Sequence, residues 1–134
     1  MLTSKVNYIG NLRTEAVHVR SGNSIVTDAP VDNQGKGEYF SPTDLLSTSL
    51  ASCMLTIMGI AANTHGFNIE GTSAEVTKVM ASDPRRVGEI IIDLYFPKND
   101  YSEKIRKIIE LSANTCPVSK SLHPELKQTI RFHF

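Results

Sequence analysis

Two cysteines, Cys53 and Cys116, are the residues of this chain best suited to chemistry, and they stand 63 positions apart. Free thiols act as nucleophiles, as redox centres or as inert core filler, and their surroundings decide which. Cys53 lies within a long apolar run, where burial raises a thiol's pKa and a nearby cation is needed to activate it. Cys116 directly precedes Pro117, the arrangement of a residue that caps a short helix. A helix N-terminus carries roughly half a positive charge, which favours a thiolate there. A long helix through the core and a short helix after it can bring two such thiols together without any local link. The candidate cations for Cys53 are Arg13, Arg20, His18 and His123, all outside the apolar run.

Other motifs exclude more than they suggest. Gly35-Lys36-Gly37 is not a phosphate loop, because no strand leads in at the right spacing and no Gly-Lys-Ser/Thr follows. Ser119 and Ser121 have no nucleophile-elbow context. There is no C-x-x-C or H-x3-H spacing, so no metal site or cofactor is expected. Two cysteines are too few for a secreted disulfide scaffold, and Met1–Asn7 lacks an apolar signal core, which together suggest a cytoplasmic protein. With 14 basic and 14 acidic side chains, the chain lacks the basic excess of a nucleic-acid binder.

The 134 residues have room for one domain, 1–134, with one core. Thr3–Ile9, Thr14–Arg20 and Ser24–Thr27 read as short strands parted by Gly10-Asn11 and Ser21-Gly22-Asn23, pairs that tolerate positive φ. The polar segment Pro30–Glu38 is a connector or the rim of a site. A helix then begins sharply, with Ser41 as N-cap, Pro42 at its first position and Asp44 reaching back in a capping box. It runs to His65, where Gly66 stops it, and at about 1.5 Å per residue it spans ~36 Å. From Leu45 to Thr64 there are 20 positions without a charge, the length of a membrane span. Ser47, Thr48, Ser49, Ser52, Thr56 and Asn63 lie inside it and no aromatic belt brackets it, so a central, wholly buried helix is expected and no membrane partner.

A hairpin follows, Ile69–Met80 and Val87–Phe96 around Ser82-Asp83-Pro84-Arg85, with the even positions Ile90, Ile92, Leu94 and Phe96 facing inward. Ser102–Asn114 is an amphipathic helix, Cys116–Leu122 a short helical turn, and Gln128–Phe134 a closing strand that alternates Ile130, Phe132 and Phe134 with polar residues. The order βββ-α-ββ-α-α-β is an α+β fold with antiparallel sheet.

Ser41-Pro42-Thr43-Asp44-Leu45-Leu46, Leu50-Ala51-Ser52-Cys53-Met54 and Cys116-Pro117-Val118-Ser119-Lys120-Ser121-Leu122 together resemble the OsmC/Ohr family, the osmotically inducible and organic hydroperoxide resistance proteins, in its general OsmC-like branch. The resemblance covers nearly the whole chain. It implies an OsmC-like fold, with antiparallel sheets around a long buried central helix, in an intertwined homodimer with sites at the subunit interface. It implies that Cys53 is the peroxidatic cysteine and Cys116 the resolving one, with Arg13 holding the thiolate. The family's glutamate falls on Thr43, which has no carboxylate. Asp44 is the possible substitute, although one helical step turns a side chain by about 100°.

The function implied is thiol-dependent reduction of small organic hydroperoxides. The Cys53 sulfenic acid would be resolved as a Cys53–Cys116 disulfide and reduced by an external dithiol of lipoyl or thioredoxin type. Leu50, Met54, Ile57 and Met58 are the expected apolar lining for an alkyl group. Thr43 favours the alternative, a weakly active or non-catalytic stress-response protein that binds a small apolar or sulfur-containing ligand at the dimer interface.

Overall fold

The computed structural model describes residues 1–97 and 100–134, in two compact units, Met1–Leu46 and Ser47–Phe134. In the first unit, β1 (Ser4–Gly10), β2 (Arg13–His18) and β3 (Ser24–Asp28) form an antiparallel meander in that order. The β1–β2 turn is tight. Gly10, Asn11 and Leu12 all take positive φ (90°, 57° and 61°), and Tyr8 Oη accepts the Leu12 N–H at 3.2 Å. The pairings Val6↔Ala16 and Ala16↔Ile25 place an apolar row on one sheet face. Val6 and Ile25 are exposed there, and Tyr8 on the same strand is exposed as well.

The segment after β3 is held by its own backbone. Val31–Asn33 forms a single 3₁₀ turn, and the Gly35 N–H donates to Pro30 O at 2.9 Å. A Cβ on Gly35 would stand 1.7 Å from the Ala29 carbonyl oxygen, so only glycine permits this close approach.

Helix α1 (Pro42–His65) starts as its sequence predicts. The Asp44 N–H donates to Ser41 Oγ at 3.0 Å, and the Ser41 N–H donates to Asp44 Oδ2 at 2.9 Å, a reciprocal capping box. By length and composition alone α1 is able to cross a membrane. Its buried stripe, Leu50, Ala51, Met54, Met58 and Ala62, repeats at three- and four-residue steps. The expectation of a wholly buried helix is corrected within a single chain. The stripe is sealed, while Ile60 on the other side is 55% exposed and Cys53, Leu55 and Ile57 are half-buried.

In the second unit, β4 (Ser73–Ala81) and β5 (Arg86–Tyr95) form the expected hairpin, and β6 (Lys127–His133) completes a sheet of order β4-β5-β6. The even positions Ile90, Ile92 and Leu94 are wholly buried. They join the α1 stripe, Ile109 and Ala113 of α2 (Glu103–Ala113), and Cys116 in one hydrophobic cluster. The expectation of antiparallel sheets holds for β1–β2–β3 and for β4–β5, but β6 runs parallel to β5. The physical reason is the connection. Two helices, α2 and α3 (Pro117–Ser121), lie between β5 and β6, and a helical crossover returns the chain in the same direction where a tight hairpin would reverse it.

Candidate active site

The two thiols meet. Cys53 is half-buried on α1, and Cys116 is fully buried as the N-cap of α3, preceding Pro117 as expected. Both are free, and Cys53 is close enough to Cys116 to act on the titration of its thiol. The cap does not make Cys116 a thiolate, contrary to the sequence expectation. Burial pushes its pKa above the ordinary thiol value, and the contact with Cys53 adds to the rise. The Ser119 and Val118 N–H groups oppose it only in part. Cys116 is therefore a protonated thiol kept from solvent, and Cys53 is the more exposed of the two sulfurs.

The start of α3 is fastened to β6. Ser119 Oγ donates to Gln128 Oε1 at 2.5 Å, and Gln128 Nε2 donates to Ser119 O at 3.2 Å. In the sequence Ser119 stands in the Cys116–Leu122 motif without nucleophile-elbow context, and its pairing with Gln128 is not predicted. The available signal was Gln128's place at the head of the inward series Ile130, Phe132 and Phe134.

In the first unit, Arg13 is gripped by carboxylates that the sequence reading missed. Its Nε donates to Asp28 Oδ1 at 2.7 Å, and its Nη2 donates to Asp28 Oδ2 at 2.9 Å and to Glu38 Oε1 at 2.7 Å. The guanidinium also lies 4.7 Å from the centroid of the Tyr39 ring. Asp28 is 1% exposed, and its carboxyl is held below the usual range chiefly by the Arg13 hydrogen bonds, with the Glu38 N–H helping at 3.1 Å. These contacts in turn raise the already high Arg13 pKa, so its charge is permanent. Two carboxylates face the one guanidinium, and Lys36 is also near enough to act on Asp28.

The possible substitute Asp44 has the capping role described above, and Thr43 Oγ1 lies 3.2 Å from Ser41 Oγ in the same turn. The other cations are used locally or exposed. His18 Nδ1 bonds Ser21 Oγ at 2.7 Å, His123 Nδ1 accepts the Glu125 N–H at 3.0 Å, and Arg20 is exposed beyond β2.

The expected apolar lining also needs correction. Leu50, Met54 and Met58 are sealed in the core at 0–1% exposure and point to the sheet. Only Ile57, one helical turn beyond Cys53, is half-buried on the thiol's side. The apolar run hid this because nearly every position in it is apolar or small, so hydropathy did not mark the inner side. Farther along α1, Thr56, Gly59 and Ile60 border an open groove of about 530 Å³ whose far wall includes Phe67, Ile69 and Glu70.

The model of the family described as OsmC-like protein matches residues 35–131. A candidate osmotic stress induced and detoxification response protein from Psychrobacter arcticus 273-4 is 60% identical, with 99% of this chain and 96% of that one covered, at a TM-score of 0.95. An organic hydroperoxide resistance protein OsmC from Legionella pneumophila is 12% identical, covered over 100% and 98%, with a TM-score of 0.77. A candidate organic hydroperoxide resistance protein from Vibrio cholerae, with captopril bound in one of its active sites, is 11% identical over 98% and 92%, with a TM-score of 0.76. At such identities the last two establish the fold alone. No curated protein matches the chain in sequence.

Proposed function

The chain belongs to the OsmC-like protein family, and from that membership and its paired thiols we propose that it reduces organic hydroperoxides. One observation carries the reading: a half-buried Cys53 packed against the cluster that holds the buried Cys116, close enough to act on its thiol. The Cys53 thiolate attacks the outer peroxide oxygen, the O–O bond breaks, and the alkoxide leaves as an alcohol after taking a proton. Cys53 is then a sulfenic acid. Cys116 attacks its sulfur, water departs, and a Cys53–Cys116 disulfide forms. An external dithiol of lipoyl or thioredoxin type restores both thiols by exchange. The names of the Legionella and Vibrio neighbours support the substrate class.

The working form we propose is a homodimer in a reducing cytoplasm. Exposed Val6, Tyr8 and Ile25 on one unit and exposed Ile60 on the other are apolar surface that a second copy would cover.

The second reading, a ligand-binding stress protein, draws on the Arg13 cluster. A guanidinium matched by two carboxylates and a Thr43 in place of an acid make a weak device for activating a thiol. One equivalent of an alkyl hydroperoxide, added to the reduced protein, separates the two. Loss of both thiols within seconds, with a mass decrease of two hydrogen atoms and no intermolecular crosslink, is the expected result. Two thiols still free would overturn the enzyme reading and favour the binder.

A further inference from the structure

Gln128 is a polar side chain where the strand pattern calls for an apolar one. Along β6 the even positions Ile130 and Phe132, and Phe134 just beyond the strand, pack against the hydrophobic cluster, and Gln128 opens that series. Its backbone register partner on β5 is Ile90, which is fully buried. Leucine or isoleucine would suit such a position. A half-buried amide is favourable there only if its donor and acceptor are both satisfied.

Both ends are satisfied by one residue. The Gln128 carbonyl accepts from Ser119 Oγ at 2.5 Å, and its NH₂ donates to the Ser119 carbonyl at 3.2 Å. Ser119 is the third residue after Cys116, and its N–H is one of the two that act on the Cys116 sulfur. The Lys120 N–H donates to the Cys116 carbonyl at 3.1 Å, so the same turn also holds the cysteine's backbone. With only five residues, α3 has little stability of its own, and its orientation depends on what it is fastened to.

We propose that Gln128 is a positioning residue for Cys116, clamping Ser119 so that the resolving thiol is held against Cys53 for disulfide closure. The inference deepens the hydroperoxide reading and rests on it for the natural oxidant. In that reaction Cys53–SOH and Cys116–SH give the disulfide and water. Only this second step depends on the clamp; attack of Cys53 on the peroxide does not.

The test uses Gln128→Leu, which removes both hydrogen bonds, keeps the volume and suits the apolar pattern. Cys53 is first loaded as a mixed disulfide with nitrothiobenzoate, whose thiolate absorbs visible light. Attack by Cys116 then forms the Cys53–Cys116 disulfide and releases that thiolate, so closure is read without any peroxide. The expected result is unchanged loading of Cys53 and closure slowed about tenfold, the size of one lost hydrogen bond in a reacting geometry. Ser119→Ala slows closure likewise, and Ser119→Thr, which keeps the hydroxyl, restores it. With alkyl hydroperoxide as oxidant, Gln128→Leu accumulates a sulfenic acid that a dimedone-type trap captures.

Closure at the parent rate in a folded Gln128→Leu protein overturns the inference, as does a parent protein that never closes. Should Gln128→Leu fail to fold, the Ser119 pair decides by the same criterion. A parent protein that closes from the mixed disulfide but ignores hydroperoxide overturns the proposed function and leaves the role of Gln128 standing.

Discussion

Arg13 and Asp28 are register partners across the β2–β3 pair and are joined by two charge-assisted hydrogen bonds, Nε–Oδ1 at 2.7 Å and Nη2–Oδ2 at 2.9 Å. The bidentate grip fixes the guanidinium plane, and Glu38 adds a third bond from the other side of the loop. Arginine's planar fork makes this arrangement specific, and lysine cannot reproduce it.

The two acids differ in burial, and that difference ranks their variants. Asp28 is 1% exposed and Glu38 is 61% exposed at the side chain. Asp28→Ala should lower the thermal midpoint clearly, whereas Glu38→Gln should move it little, because exposed ion pairs contribute little. Calorimetry on the two variants checks the order, and an equal or reversed ranking would refute it.

Acid should loosen the same contact. Asp28 is depressed mainly by Arg13, and Asp93 mainly by its hydrogen bond with His133, with Arg131 nearby. A carboxyl whose folded pKa lies below its unfolded value of about 3.9 stabilises the fold above that pH. The contribution is lost as pH falls through the lower folded value. Thermal midpoints should therefore decline below about pH 4, and the acid limb should be shallower in Asp28→Asn. An unaltered acid slope in that variant would contradict the assignment.

The thiols should separate by role. Cys53→Ser should abolish hydroperoxide turnover, a loss of at least ~10³-fold, since no nucleophile remains. Cys116→Ser should still consume about one equivalent of peroxide, stop, and hold a trappable sulfenic acid. Stopped-flow kinetics with intact mass distinguishes the two, and sustained turnover by Cys53→Ser would end the mechanism.

The corrected lining makes a further distinction. Met54→Ala opens a cavity in a sealed core and should cost about 2–5 kcal/mol of stability. Its KM for an alkyl hydroperoxide should hardly change. Ile57→Ala should do the reverse, raising KM for alkyl substrates at modest cost in stability. Denaturant titrations beside steady-state kinetics test the pair, and a KM effect confined to Met54→Ala would restore the original lining.

What was legible in the sequence was largely local. The Ser41–Asp44 box, the Cys116-Pro117 cap and the inward Ile90-Ile92-Leu94 row each sit within a few residues, and all three are present. The sequence predicts a third strand that ends at Thr27, one residue before Asp28, the partner of Arg13. Glu38 carries no local mark, since it reaches Arg13 only through the folded loop around Gly35. The parallel sense of β6 depends on a crossover through two helices, which no alternation pattern reports.

That crossover sets the order in which the protein can assemble. Every β5–β6 register pair, from Glu89↔Lys127 to Tyr95↔His133, joins residues 38 apart, while the β4–β5 hairpin closes locally. Long-range parallel pairing forms late, because chain entropy is spent before contacts return it. Cys116 lies inside this closing segment and Cys53 outside it. The juxtaposition of the two thiols should therefore form late, together with the docking of the last strand. Pulsed thiol alkylation during refolding would record this as protection of Cys116 appearing together with protection of the β6 amides.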